Sequence, residues 1–315
     1  MKIVRVRAYS SSANLGPGFD ILALAHNAFY DEVWLRIKES GTGRIEIKTI
    51  EGPYSRNIPS EENTAKRAIE LMIERYIENP KIDIEIGIWK GIPAGYGLGS
   101  SGASAAAAVK AFNEALNLNL DYNRLIEIAG IAEEVAAGSP HFDNVAASIL
   151  GNLAVIYSFN PIKAFRLDVS ARFIIVVPLI ETTNKKTMLM RKVIPSTVRL
   201  KDAVCNIASA LALLTGLLKG DIRYIYEGFK DHLIEPHREP LIPCYGIVKR
   251  ELAKVGIRNI TLSGAGPSII IPYISVETYR IVCSIVPKIY RRECNADVII
   301  KLVTPAPGAY VTALS

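Results

Sequence analysis

Alternation of apolar and polar residues marks β-strands through the first half of the chain. The clearest case is 82–88, where isoleucine occupies every second position, and 33–37 and 45–47 follow the same period of two. Residues 3–8 and 153–157 are also rich in strand-forming side chains. Since side chains on a strand point alternately to opposite faces, these segments predict strands that each bury at least one face.

Segments with helical periodicity separate these strands and dominate the second half. Helices are predicted over 63–76, 101–116, 122–137, 202–218, 245–255 and 276–290, with further strands at 173–178, Ile260, Ile269 and Val298. Residues 101–116 are nearly all small, so that helix must pack closely against its neighbours over most of its surface. This mixture of helices and sheets predicts an α+β fold.

Length and composition favour a folded enzyme of two domains. The chain has 315 residues, of which 50% are apolar and 22% charged, and a chain of this size usually divides between two hydrophobic cores. The irregular segment 160–172 predicts the boundary between domains of 1–160 and 161–315. A cleft between these domains is expected.

Charge and hydropathy argue against nucleic-acid and membrane partners. The formal net charge is +6, but the lysines and arginines are scattered and form no basic run. The longest apolar stretch, 208–218, is shorter than the ~20 residues needed to cross a bilayer, and the N-terminus lacks a signal-peptide pattern. We therefore expect a cytoplasmic protein.

The four cysteines show no pattern typical of metal binding or of a disulfide framework. Cys205, Cys244, Cys283 and Cys294 form no CxxC pair and have no histidine at metal-ligand spacing. They are interpreted as buried free thiols.

A glycine-rich loop between a predicted strand and a predicted helix is the strongest chemical signal. Its candidate nucleotide-binding residues are Pro93, Ala94, Gly95, Tyr96, Gly97, Leu98, Gly99, Ser100, Ser101, Gly102 and Ser104. Glycines allow backbone N–H groups to converge on a phosphate, and the first turn of the helix adds unpaired donors. The alternative is a flexible turn before an alanine-rich helix.

Two common phosphate-binding motifs do not fit this loop. A Walker-type loop requires Gly-Lys-Ser/Thr at its end, and lysine is absent here. The dinucleotide fingerprint fails because the spacing of Gly95, Gly97 and Gly99 differs from it. The loop therefore indicates a different class of nucleotide-binding enzyme.

With two further segments, the loop resembles the motifs of the galactokinase–homoserine kinase–mevalonate kinase–phosphomevalonate kinase (GHMP kinase) superfamily. Pro-x-x-x-Gly-Leu-Gly-Ser-Ser-x-Ala at 93–103 is similar to its second motif, 11–20 to its first and 262–268 to its third. The resemblance covers essentially the whole chain. It implies a two-domain GHMP kinase fold, with an N-terminal ATP-binding domain like the second domain of ribosomal protein S5 and a ferredoxin-like C-terminal domain. The active site would lie between them, and the final strand could return to the N-terminal domain.

Segments outside the phosphate loop determine which phosphoryl acceptor binds. In this chain they resemble those of homoserine kinases. The run His141-Phe142-Asp143-Asn144 matches a signature of that family, although Asp143 or Asn144 could simply cap the next helix. The resemblance implies that L-homoserine is bound by Asn14, Asp20, His141, Asn144, Thr187, Arg191, Arg238 and Gly264. Paired arginines suit the substrate carboxylate because a guanidinium matches it in two-point contact, and Asp20 would balance the ammonium.

Two departures from the family pattern bear on the subtype. Tyr9-Ser10-Ser11 stands where many members have a Pro-Ala-Thr lead-in, and Ala147 replaces a common proline. Neither change removes a charge that phosphoryl transfer requires. They weaken the assignment of the subtype more than that of the enzyme class.

The resemblance also implies the cofactors and the product. ATP would bind the loop with Asn63 near the adenine, while Ser101 and Glu133 would be catalytic and hold Mg²⁺. The product would be O-phospho-L-homoserine, an intermediate of threonine biosynthesis, formed without an evident general base. Alternatives are another acceptor (mevalonate, shikimate or a sugar) or a catalytically silent nucleotide-binding regulator, and a homodimer remains open.

Overall fold

The computed structural model describes residues 2–38, 41–78, 81–182 and 186–315, and two β-sheets organise them. The first sheet has seven strands, which are β1 (Lys2–Asn14), β2 (Gly18–Lys38), β3 (Ile45–Glu51), β4 (Asp83–Lys90), β5 (Leu153–Phe159), β6 (Ile162–Leu167) and β11 (Tyr310–Leu314). The strand order is β11-β1-β2-β4-β3, and β5 pairs with both β2 and β6. The inward isoleucines of β4 are buried, as their alternation predicted.

Five helices accompany the strands of the first sheet. They are α1 (Thr64–Tyr76), α2 (Ser100–Ala115), α3 (Tyr122–Ala132), α4 (Glu134–Ala137) and α5 (Asp143–Leu150). The alanine-rich α2 is buried along almost its whole length because its small side chains allow β1, β2, α1 and α5 to approach closely. This helix fixes the loop that precedes it.

The second half of the chain forms a four-stranded sheet covered by helices. Its strands are β7 (Phe173–Pro178), β8 (Thr261–Leu262), β9 (Ile269–Pro272) and β10 (Val298–Val303), in the order β10-β7-β9-β8. Its helices are α6 (Lys186–Lys192), α7 (Leu200–Lys219), α8 (Ile222–Gly228), α9 (Glu235–Arg238), α10 (Tyr245–Lys254) and α11 (Val276–Cys294), with a 3₁₀ turn at Glu239–Leu241. The predicted α+β class is confirmed.

Both ends of the second half connect to the first sheet. The prediction that 160–172 is irregular was wrong, because 162–167 form β6 in a hairpin with β5, and the chain leaves the first sheet only after Leu167. After β10 it runs back, and Ala306 exchanges backbone hydrogen bonds with Ala25 and Asn152. Strand β11 then pairs antiparallel with β1. The N-terminal body therefore contains the last strand of the chain.

The predicted helix over 122–137 is interrupted at Glu133, where α3 ends and α4 begins. The carbonyl of Gly130 accepts a hydrogen bond from the backbone N–H of His141, and Phe142 packs where a β-carbon of Gly130 would lie. This tertiary contact competes with the helical ladder. The break places Glu133 at a turn facing the phosphate loop.

The expectation of four buried free thiols was wrong. Cys244, which precedes α10, is joined by a disulfide to Cys294 at the end of α11, with Cα atoms 6.3 Å apart. Cys205 and Cys283 are free but only partly buried. A sequence separation of 50 residues hides the pair, because only the packing of α10 on α11 brings the two sulfurs together.

Helix α7 is unusual because its apolar residues face outward. By length and hydropathy alone it could cross a membrane, and only 22% of its most apolar window is buried. The sequence predicted an apolar stretch too short to cross a bilayer, but the whole of α7 is long enough. The length argument therefore does not exclude a membrane-spanning helix. The buried residues of α7 include the polar Asn206 and Ser209.

Candidate active site

The glycine-rich loop runs from the end of β4 to the first turn of α2. Gly99 caps the helix in the left-handed region at φ 67°, and Gly97 lies at φ 75°. A β-carbon on Gly97 would lie 2.1 Å from the carbonyl oxygen of Ser263, and one on Gly99 would lie 2.3 Å from Ser11 Oγ. Glycine is required at both positions because the three motifs meet there.

A cavity of about 300 Å³ opens beside this loop. The residues predicted for the site that line it are Asn63, Ala94, Gly95, Gly97, Leu98, Gly99, Ser100, Ser101, Ser104, Glu133, His141, Asn144 and Gly264. Pro93, Tyr96 and Gly102 belong to the same loop or helix but do not line the cavity. The Tyr96 hydroxyl instead donates to the carbonyl of Ile180, so it ties the loop to the C-terminal body.

Ser101 and Glu133 meet across the cavity. Ser101 Oγ donates to Glu133 Oε2 at 2.8 Å, and Glu133 Oε1 is buried without a hydrogen-bond partner in the described part of the chain. Burial raises the pKa of Glu133 to about 7, against the opposing effect of the Ser101 hydrogen bond. An orphaned carboxylate oxygen beside a hydroxyl fits a hard divalent cation such as Mg²⁺.

The nucleotide would have to complete such a metal site. Among the described residues, no group of three or more histidine, cysteine or acidic side chains could hold a metal alone. Magnesium usually takes one or two protein carboxylates together with substrate phosphates and water. The site is of that open kind.

Asn63 lies at the start of α1 and lines the cavity. Its Oδ1 accepts from the backbone N–H of Ala65 and caps α1, while the residue also lines the cavity. The next residue, Thr64, donates to the carbonyl of Ser101 at 3.1 Å. The start of α1 is therefore bound directly to the first turn of α2.

Asp20, Arg191 and His141 form one hydrogen-bonded cluster beside the cavity. Arg191 Nη2 donates to both carboxylate oxygens of Asp20 at 2.8 and 3.0 Å, and its Nε donates to His141 Nε2 at 2.8 Å. His141 Nδ1 lies 2.8 Å from the carbonyl of Ser139. Since Nε2 accepts, the imidazole is neutral with its proton on Nδ1, and burial followed by the Arg191 charge lowers the pKa of His141.

Arg238 approaches the same cluster from α9. Its Nε donates to the carbonyl of Met190 and its Nη1 to the carbonyl of Gly264, both at 3.2 Å. Burial and the nearby Arg191 lower the pKa of this guanidinium. The Phe19 ring, which the sequence had not singled out, lies 5.5 Å from Arg191 Cζ and 5.4 Å from Arg238 Cζ.

Hydrogen bonds link the remaining residues predicted to bind homoserine to the first and third motifs. Asn14 donates to the carbonyl of Gly264 at 3.2 Å, and its Oδ1 accepts from the backbone N–H of Asp20. Asn144 Oδ1 accepts from Ser11 Oγ at 2.8 Å. The side chain of Thr187 lies outside the described residues.

Sequence reasoning missed a buried ion pair that anchors the phosphate loop. Asp31 on β2 and Lys90 on β4 are direct neighbours in the sheet, and the two side chains are in contact. Asp31 Oδ1 accepts from the backbone N–H groups of Gly91 and Ile92, and Oδ2 accepts from Ser104 Oγ. The signal was present, because Lys90 occupies the next inward position after the alternating isoleucines of β4.

Asp143 belongs to the segment 141–144 that resembles a homoserine kinase signature. Asp143 opens α5, and its Oδ1 accepts from the backbone N–H of Asn144. Burial, followed by the nearby Asp20 charge, raises the pKa of Asp143 to about 6. Asp143 therefore adds a second carboxyl group beside the Asp20–Arg191 cluster.

Comparisons with known proteins identify the relatives of this chain. Residues 63–152 match the family described as GHMP kinases N terminal domain. The chain is 41% identical over 310 residues to a homoserine kinase from Aeropyrum pernix, covering 98% of this chain and 97% of that protein. A homoserine kinase from Pyrobaculum islandicum is 41% identical over 265 residues, covering 84% and 86%.

Solved structures agree. A crystal structure of homoserine kinase from Cytophaga hutchinsonii superposes with a TM-score of 0.86 at 30% identity, covering 98% of this chain and 97% of that one. The mevalonate kinase of L. major has the same fold at a TM-score of 0.67 but only 16% identity. The chain therefore belongs to the homoserine kinases, a family within the GHMP kinase superfamily.

Proposed function

We propose that this chain transfers the γ-phosphoryl group of ATP to the side-chain hydroxyl of L-homoserine and releases O-phospho-L-homoserine. The observation that carries the proposal is that the predicted ATP site and the predicted homoserine site share two residues. His141 and Gly264 line the cavity beside the phosphate loop, and they also bind Arg191 and Arg238. A nucleotide on the loop and a small amino acid on the arginines would meet there.

The roles of the side chains follow from phosphoryl transfer, which needs alignment and charge neutralisation more than covalent chemistry. Backbone N–H groups of the loop and of the first turn of α2 bind the β- and γ-phosphates. Ser101 and Glu133 would hold Mg²⁺, which would supply positive charge next to the phosphoryl oxygens. Arg238 and Arg191 orient the amino acid through its carboxylate.

His141 positions the substrate without serving as a general base. Both ring nitrogens are engaged, one toward Ser139 and one toward Arg191, so neither is free to remove the hydroxyl proton. Asn144, which lines the cavity and is fixed by Ser11 of the first motif, would hold the hydroxyl group in line with the phosphate. The proton then leaves to the phosphate or to solvent after the bond to phosphorus has formed.

The decisive experiment measures ADP release by the purified chain with ATP, Mg²⁺ and, in turn, homoserine, mevalonate, shikimate and galactose. We expect homoserine to give by far the highest kcat/KM, with O-phosphohomoserine as the product by mass spectrometry. Faster turnover of another alcohol would show that this alcohol, and not homoserine, is the phosphoryl acceptor. Nucleotide binding without any turnover would identify a silent regulator instead.

We also propose that the enzyme works in the cytoplasm without nucleic-acid or membrane partners. The scattered basic residues support this, as does the similarity to proteins named homoserine kinase, whose substrate is a small molecule.

A further inference from the structure

Helix α9, which carries Arg238 at its end, is too short to fix its own orientation. It has only four residues, and the second of them, Pro236, has no backbone N–H. One turn of helix makes few hydrogen bonds of its own and is not stable in isolation. The position of the Arg238 guanidinium therefore depends on contacts that other side chains make with this turn.

Asp231 makes the first of these contacts, at the N-terminal end of the turn. Its Oδ1 accepts from the backbone N–H groups of Leu233 and Ile234 at 2.8 and 2.9 Å, and its Oδ2 accepts from that of Glu235 at 2.9 Å. These bonds cap the turn. They all lie within the segment 231–235, so they shape the turn without fixing it to the acceptor site.

Glu235, the first residue of α9, connects the turn to the surrounding elements. Its side chain is buried, and four donors converge on the carboxylate. Oε1 accepts from the Tyr245 hydroxyl at 2.7 Å and from Lys249 Nζ at 2.6 Å, both on α10. Oε2 accepts from the hydroxyl of Thr261 and from the backbone N–H of Leu262, which form β8. One carboxylate thus joins α9 to α10 and to β8.

The contact with Leu262 bears directly on the acceptor site. Leu262 begins the third motif, and Gly264 of that motif lines the cavity and accepts from Arg238. Glu235 and Arg238 are three residues apart, so they lie on the same side of the turn. The first accepts from the third motif and the second donates to it, two residues further along. Two contacts with one short segment fix both the distance and the rotation of α9, whereas the Arg238 contact alone would let the turn pivot.

The arrangement around Glu235 calls for an oxygen acceptor more than for a negative charge. Lys249 Nζ lies 2.6 Å from Oε1, so the charge is neutralised where it arises. The Leu262 amide and the Thr261 hydroxyl are uncharged donors. An apolar side chain could fill the same space, because a buried ion pair often adds no net stability. Such a side chain could not bind the backbone of the third motif.

We propose that Glu235 is a positioning residue that holds Arg238 against the third motif and thereby determines the affinity for homoserine. This inference rests on the proposed function, in which Arg238 binds the substrate carboxylate. Glu235 touches neither substrate and acts only through the orientation of the guanidinium. Small displacements of a group that orients a substrate have large effects on its use.

The first test compares the steady-state kinetics of Glu235→Ala with those of the unmodified chain. We expect KM for homoserine to rise about tenfold and KM for ATP to stay nearly unchanged, because the loss of buried charge-assisted hydrogen bonds moves Arg238 and not the phosphate loop. Partial unfolding would lower kcat by removing active molecules, but it would leave both KM values unchanged. The ratio of the two KM values therefore separates positioning from stability.

The conservative variant Glu235→Gln tests whether the acceptor oxygen or the charge matters. Glutamine Oε1 can still accept from Leu262, while its amide donates to the Tyr245 hydroxyl, which can donate in turn to the carbonyl of Ile260 at 3.3 Å. We expect KM for homoserine to stay within about threefold of the unmodified value. A rise equal to that of Glu235→Ala would overturn the positioning role, because charge would then be the property that acts.

Glu239→Gln is the matched control, because Glu239 is the second partner of Lys249, at 3.0 Å, and directly follows Arg238. It does not contact the third motif through any hydrogen bond in the described chain, so KM for homoserine should not change. A rise equal to that of Glu235→Ala would assign the effect to the Lys249 ion pairs and overturn the proposal.

A double-mutant cycle tests whether Glu235 acts through Arg238. In an Arg238→Ala background, Glu235→Ala should add nothing further to KM for homoserine, since the residue that it positions is already gone. Additive effects would show that Glu235 acts independently and would contradict the proposal. So would an Arg238→Ala chain with unchanged KM.

Failure of the inference and failure of the proposed function give different results. An unmodified chain that does not phosphorylate homoserine removes the proposed function and the inference with it. A chain that does so, and in which Arg238→Ala raises KM but Glu235→Ala does not, overturns the inference alone. If thermal melting shows that Glu235→Ala is unfolded, Glu235→Asp takes its place. Its carboxylate is one methylene further from Leu262, so an unchanged KM for homoserine in that variant would equally overturn the inference.

Discussion

Single side chains carry most of the chemistry of this site, and the two arginines illustrate how. Arg238 is buried and bound to two backbone carbonyls, whereas Arg191 is half-buried and shares its charge with Asp20. The sequence could identify both arginines by resemblance, but it could not show that Arg191 is already paired. That pairing depends on the approach of α6 to the first motif, which are 171 residues apart.

Replacing either arginine should weaken homoserine binding specifically. We expect Arg238→Ala and Arg191→Ala to raise KM for homoserine about 30-fold or more while leaving KM for ATP nearly unchanged, because losing a buried charge-assisted contact costs roughly 2–5 kcal/mol. Lysine should rescue only in part, since it lacks the two-point geometry of the guanidinium. Steady-state kinetics with Arg223→Ala, an exposed arginine on α8, provide the control. Equal weakening of ATP and homoserine would assign the arginines to the phosphate site or to the fold.

The proposed metal contacts should affect turnover more than binding of the amino acid. We expect Ser101→Ala and Glu133→Gln each to lower kcat by on the order of 10² or more, because both remove contacts made where charge develops in the transition state. Glu134→Gln, an exposed carboxylate next to Glu133, should be nearly silent. Near-normal kcat in both site variants at saturating Mg²⁺ would show that the metal binds elsewhere.

His26 should make stability fall in mild acid. It is fully buried between Ser10 and Ser12, and burial, with a smaller effect of Lys301, lowers its pKa to about 3. Because the folded state keeps the imidazole neutral, its stabilisation is complete above pH 6.5 and is lost as the pH falls toward 3, by roughly 1.4 kcal/mol per unit.

Urea unfolding at pH 7.5, 6.0 and 4.5 measures this effect as the difference between the unmodified chain and His26→Gln. We expect the free energy of unfolding of the unmodified chain to fall more steeply below pH 6.5. Raised pKa values of Glu133 and Asp143 act in the opposite direction, but they are common to both proteins and cancel. Parallel pH profiles would mean that His26 becomes protonated without cost.

At the level of elements, the strands and helices with strong periodicity could be predicted, and the places where tertiary contacts override the pattern could not. The alternation in β4 located both the strand and its buried face. The break at Glu133 was missed because Gly130 is a tolerable helix residue, and only the contact with His141 and Phe142 diverts its carbonyl. That break is what directs Glu133 into the site.

The anchor between β2, β4 and the phosphate loop should be needed for both stability and ATP binding. We expect Asp31→Asn to lower the free energy of unfolding by roughly 3–5 kcal/mol, because Lys90 would be left buried without its partner. The double variant Asp31→Leu with Lys90→Met should regain part of that stability but not the KM for ATP, since leucine cannot accept from the backbone N–H groups of Gly91 and Ile92.

The same pair of strands supplies a control for this experiment. Arg36 and Glu85 are also direct neighbours on β2 and β4, but their ion pair is solvent-exposed. Glu85→Gln should therefore cost less than about 1 kcal/mol. If Asp31→Asn costs no more than Glu85→Gln in urea unfolding, the buried pair is not an anchor.

At the scale of the whole molecule, the resemblance predicted three motifs around one site, but not how they are held together. Ser12 of the first motif, Gly97 of the second and Ser263 of the third meet in one chain of hydrogen bonds. Ser263 has one hydroxyl proton, and when it goes to the carbonyl of Gly97, Ser12 must donate to Ser263 and the N–H of His26 Nε2 to Ser12. No local pattern reveals such a chain, because its members come from both bodies of the protein.

Ser263 should therefore couple the phosphate loop to the acceptor pocket, and a neighbouring serine tests this. We expect Ser263→Ala to lower kcat/KM for both ATP and homoserine about tenfold, because the carbonyl of Gly97 would lose a buried donor at a cost of about 1–2 kcal/mol. Ser268 lies in the same motif and is equally buried, but its Oγ has no hydrogen-bond partner among the described residues. Ser268→Ala should consequently leave kcat/KM unchanged and keep or raise the melting temperature. If the two alanine variants behave alike in both assays, the hydrogen-bond chain through Ser263 does not align the phosphate loop with the acceptor pocket. The packing of the third motif would then do so.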